Sequence, residues 1–221
     1  MKKKTAPPAG PRPRAELIWL FGITIAALIV AGIEPHDRVT FFLETFPVIL
    51  ALPILYATRR RFPLTPLLYR LTFLHALILI LGGHYTYAEV PLGDWLKEAF
   101  DFSRNHYDRI GHIAQGFIPA ILAREILLRT SPLRPGKWLF ATVTAFCLGF
   151  SAFYELIEWW AAVLGGAEAD AFLATQGDVW DTQWDMFLAL LGCLASQILL
   201  AGVHDRQLAR LRERRENVAG F

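Results

Sequence analysis

Cysteine is nearly absent from this chain. The two present, Cys147 and Cys193, lie inside apolar runs with no CxxC or paired spacing. That excludes a disulfide scaffold and a zinc ribbon and leaves two small core residues. Charge is scarce as well: Asp, Glu, Lys and Arg make up 19% of 221 residues, below the roughly 25% of a soluble domain. No stretch is long and polar enough for a large soluble domain, no internal repeat is visible, and no nucleic-acid partner is expected. HExxH is missing, and no ExxH pairs with another, so neither a standard metalloprotease helix nor a di-iron bundle is present.

Apolar sequence is abundant, at 54% of the chain. A membrane-spanning helix needs about 20 mostly apolar residues. Six stretches qualify, at roughly 16–33, 39–57, 64–82, 109–128, 138–164 and 183–203. The fourth is the most polar, with Arg109, His112, Gln115, Arg124 and Glu125, and its charges fall near its two ends. The first span follows a Lys- and Pro-rich arm. No small-residue cleavage site clearly follows it, which favours a retained anchor over a cleaved signal.

Basic residues set orientation. They crowd the arm before span 1 (Lys2 to Arg14), the 2–3 loop (Arg59, Arg60, Arg61), the 4–5 connection (Arg124 to Lys137) and the tail (Arg206 to Arg215). The other side holds only Arg38, Lys97, Arg104 and Arg109, and Arg70 in span 3 lies close enough to the cytoplasmic end to snorkel. The fold class read from this is all-α, a polytopic helix bundle with both termini cytoplasmic. Its parts are a basic arm at 1–15, a six-span membrane domain at 16–204 and a basic tail at 205–221. The bilayer of a bacterial inner membrane is its expected setting. Residues 90–108 alternate apolar, aromatic and polar groups in a pattern that suits a short amphipathic helix, lying on the membrane surface or packed over the bundle as a lid.

Acidic residues gather on the opposite side, on three different helices. Asp108 and His112 are i, i+4 and share one face of span 4. Glu155 and Glu158 are i, i+3 near the outer end of span 5. Asp178, Asp181 and Asp185 precede and open span 6. HYTY at 84–87 with Glu89 is a fourth polar cluster just outside span 3, and Glu44 on span 2 sits at a similar depth. Intramembrane carboxylates usually face the bundle interior and are paired or functional. Several acids at one level repel unless a cation sits among them, and Arg109 or a divalent metal would serve.

The site expected from this pattern has Asp108, His112, Asp181 and Asp185 as metal ligands, with Glu155 and Glu158 as catalytic carboxylates. Carboxylate with histidine suits zinc, iron or manganese, and carboxylate with water suits magnesium or calcium. Such an ion lowers the pKa of a bound water, and a neighbouring acid serves as base. Simpler roles stand beside these. Asp178 and Asp181 suit helix capping, and Trp159, Trp160, Trp180 and Trp184 suit an interfacial aromatic belt. Gly111, Gly116 and Gly192 suit close helix packing, and His75 suits a hydrogen bond across helices.

HYDRIGHIAQGF, YELIEWW and TQGDVWDTQWDMFLALLG together resemble the YjdF-like bacterial inner-membrane proteins, over most of the chain from span 2 to span 6. That resemblance implies a multi-span inner-membrane protein and supplies no activity. A fainter similarity links the spaced Asp108, His112, Glu155 or Glu158, Asp181, Asp185 and Gly192 to the VanZ-like membrane proteins, with Ala189 departing from their polar residue before the glycine. That likeness implies an outer-leaflet polar site linked to envelope chemistry. Three functions follow as expectations: a metal-dependent hydrolase acting on lipid or lipid-linked headgroups, a proton- or cation-coupled transporter for an ion or small molecule, and a structural or accessory protein.

Overall fold

The computed structural model describes residues 13–165 and 175–219. Most of the basic arm and the acidic residues Glu168 and Asp170 lie outside the described residues. Every regular element described is helical. The long helices are α1 (Pro13–Ala31), α2 (Arg38–Thr58), α3 (Pro66–Tyr85), α5 (Tyr107–Thr130), α6 (Lys137–Gly165) and α7 (Asp181–Ala219). A single 3-10 turn at Tyr87–Glu89 and a short helix α4 (Pro91–Phe100) fill the connection between α3 and α5.

Helices α2, α3, α6 and α7 are long and apolar enough to cross a membrane by themselves. Two of the expected spans fall short of that test. The apolar part of α1, Ala15–Ala31, is shorter. The other, α5, is long enough but too polar, and packing explains it: α5 is enclosed by α3, α6 and α7, so its polar side chains meet protein rather than lipid. The lipid-facing helices carry the exposed apolar side chains instead, among them Ile18, Phe42, Ile54, Phe146 and Leu199. The result is a helical membrane bundle. It has two layers: α1 and α2 pack on α3, α6 and α7 pack on α5, and the α3–α5 contact joins them.

Local chemistry places the helix ends. Asp37 caps α2, accepting a 2.6 Å hydrogen bond from the Thr40 N–H. Thr65 caps α3 and is followed by Pro66 at the first helical position, where a missing N–H is harmless. In α4 the apolar side chains Leu92, Trp95 and Phe100 stay exposed, while Gly93 packs against Asn105. That suits an interfacial helix rather than a lid. Trp159, Trp160, Trp180 and Trp184 are likewise exposed near the same end of the bundle, as an aromatic belt requires.

The end of the bundle expected to face the cytoplasm, the inner end, is held by a buried ionic network. Glu125 is fully buried and accepts from Thr65 N, Thr65 Oγ1, Arg129 Nη1 and His204 Nε2. Arg124 donates to His204 Nδ1 at 2.8 Å, which leaves the His204 Nε2–H to serve Glu125, and it grips Asp205 through both guanidinium nitrogens. Gln207 accepts from the Leu67 N–H. No break in α7 marks residue 204: the helix runs on, and its residues 204 to 208 tie the inner ends of α3 and α5 together.

Candidate functional site

The outer cluster depends on how closely α5 and α7 approach. A Cβ on Gly116 would collide with the backbone of Ala189, and one on Gly192 with the carbonyl of Ile113. Both glycines therefore let backbones touch, as small residues do in membrane bundles. One to two turns outward, this approach brings Asp185 on α7 beside His112 on α5.

His112 is the hub. Its Nε2 lies 3.4 Å from Asp108 Oδ1 and 3.8 Å from Asp185 Oδ1, and its Nδ1 lies 3.9 Å from Glu155 Oε1 on α6. All four side chains are buried. Gln115 Oε1, one turn along α5, is 3.2 Å from His112 Nδ1. A neutral imidazole donating its Nδ1–H to that oxygen turns the Nε2 lone pair toward Asp108 and Asp185. This is the outer-sphere arrangement that orients a metal-ligating histidine. Among the described residues, two groups have ligand atoms within 4.8 Å of one another: Asp108, His112 and Asp185, and His112, Glu155 and Glu158. The Gln115 contact engages Nδ1 and so favours the first, leaving Glu155 and the partly buried Glu158 beside it.

Asp181 departs from the expected ligand set. Its Oδ1 lies 3.0 Å from Arg104 Nη1 and 3.0 Å from Arg109 Nη2, and both guanidinium ions draw it away from His112. Asp178 joins the same knot, 2.8 Å from Arg109 Nη2. It also accepts from the Trp180 N–H, which, with the two arginines, holds its carboxyl below the usual carboxylate range. Asp178 and Asp181 thus anchor the outer loop to the start of α5. The Gln176 side chain completes that anchor, accepting from the Asn105 N–H and donating to the Asn105 carbonyl. His106 stays outside the site, its ring edge-on to Phe102; burial pushes its pKa down, and Arg104 and Arg109 add to the effect.

Glu44 does join the cluster, meeting the Tyr154 hydroxyl at 3.3 Å across the gap between α2 and α6. From HYTY, Tyr87 wedges between Gly82 on α3 and Gly111 on α5, and His84 Nδ1 reaches the carbonyl of Ala31 at 2.8 Å. The sequence did not mark Arg104 or His204, which stand in no acidic run or repeated spacing, and in YELIEWW it marked the two glutamates but not Tyr154 before them.

The two ends of the bundle differ in one physical respect. At the inner end the buried Glu125 has a donor for both oxygens. At the outer end Asp108 Oδ2, Glu155 Oε1 and Asp185 Oδ1 are buried with no hydrogen-bond partner among the described residues. Buried polar atoms are nearly always paired, and each exception needs a cause. Asp108 and Asp185 with His112 form one set of groups that could hold a metal ion, and Glu155 and Glu158 with His112 form another.

Fold and site together define a polytopic helical membrane protein with an acidic, histidine-centred pocket near one end of its helices. The chain belongs to the family described as "Predicted membrane protein (DUF2238)", which matches residues 16–206. It is 55% identical over 183 residues to inner membrane protein YjdF of Escherichia coli (strain K12), across 83% of this chain and 88% of that protein. No solved structure matches it.

Proposed function

We propose that the His112 pocket binds a divalent metal ion through Asp108, His112 and Asp185, and that the protein is a metal-dependent hydrolase acting on lipid or lipid-linked headgroups at the outer leaflet. The observation that carries this reading is that Asp108, Asp185 and Glu155, all close to His112, each bury a carboxylate oxygen that accepts no hydrogen bond among the described residues. A proton on Nε2 would ease the local charge and still leave those oxygens unpaired; a divalent ion and its waters reach them. Two carboxylates and one imidazole suit zinc, iron or manganese, with a coordination position left for water.

The ion's contribution would be a water acidified enough to attack at neutral pH. Glu155 or Glu158 would serve as the base that takes a proton from the attacking water and returns it to the departing alcohol oxygen. Asp181 holds Arg104 and Arg109 at the rim. The transporter reading has less support, because an ion path needs polar groups to continue inward. Below Gln115 the walls are apolar apart from His75 and hydroxyls already bonded within the protein.

Metal analysis of the purified protein, before and after loading with zinc or manganese, tests the reading. The wild type is expected to retain a divalent ion, and His112→Ala and Asp185→Ala to lose it. A wild type that holds no metal after loading overturns it.

A further inference from the structure

A cavity of about 230 Å³ lies inside the bundle, behind the polar cluster. Its outer end is formed by Glu44, Tyr87, Asp108, His112, Tyr154 and Glu158. From there it follows α5 inward as far as Leu122, roughly 20 Å at 1.5 Å per residue. The deeper walls come from Val48, Ala51 and Leu52 on α2, Ala76 and Leu79 on α3 and Ile118 on α5. Thr24 and Thr72 also face it, but their hydroxyls bond back to Leu20 and Leu68 carbonyls, so they leave methyl groups for the wall. The cavity is therefore polar at one end and apolar along most of its length.

One side of it is loosely closed. Helix α3 closes the gap between the two layers, while α2 packs substantially on neither α5 nor α6. Opposite α3, the Glu44–Tyr154 hydrogen bond at 3.3 Å bridges α2 and α6 at the outer end. His75 sits on the cavity wall with its Nε2 buried and unpartnered among the described residues. Counting inward from the outer ends of α3 and α5, His75 is roughly one and a half helical turns deeper than His112. A group with a polar atom just below its headgroup, such as a chain ester, meets a hydrogen-bonding partner there. Glu155, Glu158, Trp159 and Asp181 line a second, smaller pocket on the far side of the cluster, and Glu158 borders both. The cluster thus lies between a small pocket edged by three carboxylates and a longer, apolar tunnel.

We propose that the tunnel receives one hydrocarbon chain of a bilayer lipid, which enters sideways between α2 and α6 and leaves its headgroup at His112. The ligand class is then a chain-bearing lipid taken from the membrane, and water reaches the cluster through the smaller pocket. The headgroup half of this inference rests on the metal-site reading above; the chain half rests on the cavity.

Photo-crosslinking in lipid nanodiscs tests it, with phosphatidylglycerol carrying a diazirine midway along one acyl chain as the probe. Labelled peptides should include Val48, Ala51, Ala76 and Ile118. Filling the tunnel with Ala51→Trp from the α2 side, or Ile118→Phe from the α5 side, should cut interior labelling by about five-fold or more. Labelling at the lipid-facing Phe42 and Leu50 should stay unchanged. Melting temperature and metal content of both variants report whether the fold survives. Interior labelling absent from the wild type, or undiminished in a folded variant, overturns the proposal. A wild type that labels inside yet holds no metal keeps the tunnel and removes the hydrolase; one that holds metal without interior labelling does the reverse.

Discussion

Asp185→Asn and Glu125→Gln remove one negative charge each, with almost no change of shape, from the two buried clusters. Their effects should be opposite. Glu125 accepts from two groups on Thr65, from His204 and from Arg129. An amide in its place turns one oxygen into an NH2 that faces donors, so one or two buried donors lose their acceptor at about 1–3 kcal/mol each. A loss of about 3 kcal/mol lowers the melting temperature by roughly 6–12 °C in a chain of this size. Asp185 Oδ1 accepts no hydrogen bond, has a weak ion pair with Arg109 at 3.6 Å, and lies in a group with Asp108 and His112. Asp185→Asn forfeits that pair and relieves the repulsion, so in a chelator the variant should melt at or a few degrees above the wild type. Adding zinc or manganese should then stabilise the wild type, as any ligand of the native state does, and leave Asp185→Asn unmoved. Cys147 and Cys193, 2% and 0% exposed, make the assay simple: a thiol-reactive fluorophore reports unfolding in detergent. If Asp185→Asn in chelator falls as far as Glu125→Gln, the outer acids are structural and the metal argument fails.

Gly116→Ala should cost about 1–3 kcal/mol or more, because the obstacle is the backbone of Ala189 rather than a side chain that can rotate. Parting α5 from α7 also draws Asp185 from His112, so metal content should fall with melting temperature; a stable variant with full metal content would contradict the packing argument. Asp37→Ala should cost about 1 kcal/mol at neutral pH through loss of the α2 cap. The Thr40 N–H holds the Asp37 carboxyl below the usual carboxylate range, so its contribution is present above about pH 4 and fades as pH falls through the lower, folded value. Melting curves of the two proteins should converge in acid; a gap that widens there would refute the cap.

Apolar run length and the placement of basic residues were enough to define a membrane bundle, because twenty residues of hydrocarbon and a charged flank act locally and independently of partners. The same is true of the i, i+4 pair Asp108 and His112 and of the i, i+3 pair Glu155 and Glu158, whose shared faces follow from helical period alone. What each face meets is a different matter. The most polar span, α5, is the enclosed one, since polarity in a helix is tolerated only where neighbours cover it, and the chain's order does not say which neighbours those are. Asp181 carries the same i, i+4 signature as Asp108, yet belongs to Arg104, a loop residue that no periodicity connects to it. His204 stands beyond the last apolar run and still lies at the buried inner lock, because α7 outlasts the membrane. The cavity is walled by α1, α2, α3, α5 and α6, helices that are not all neighbours in the chain. A gap is a property of several surfaces at once, so only the tertiary structure could decide that it exists and that it ends at His112.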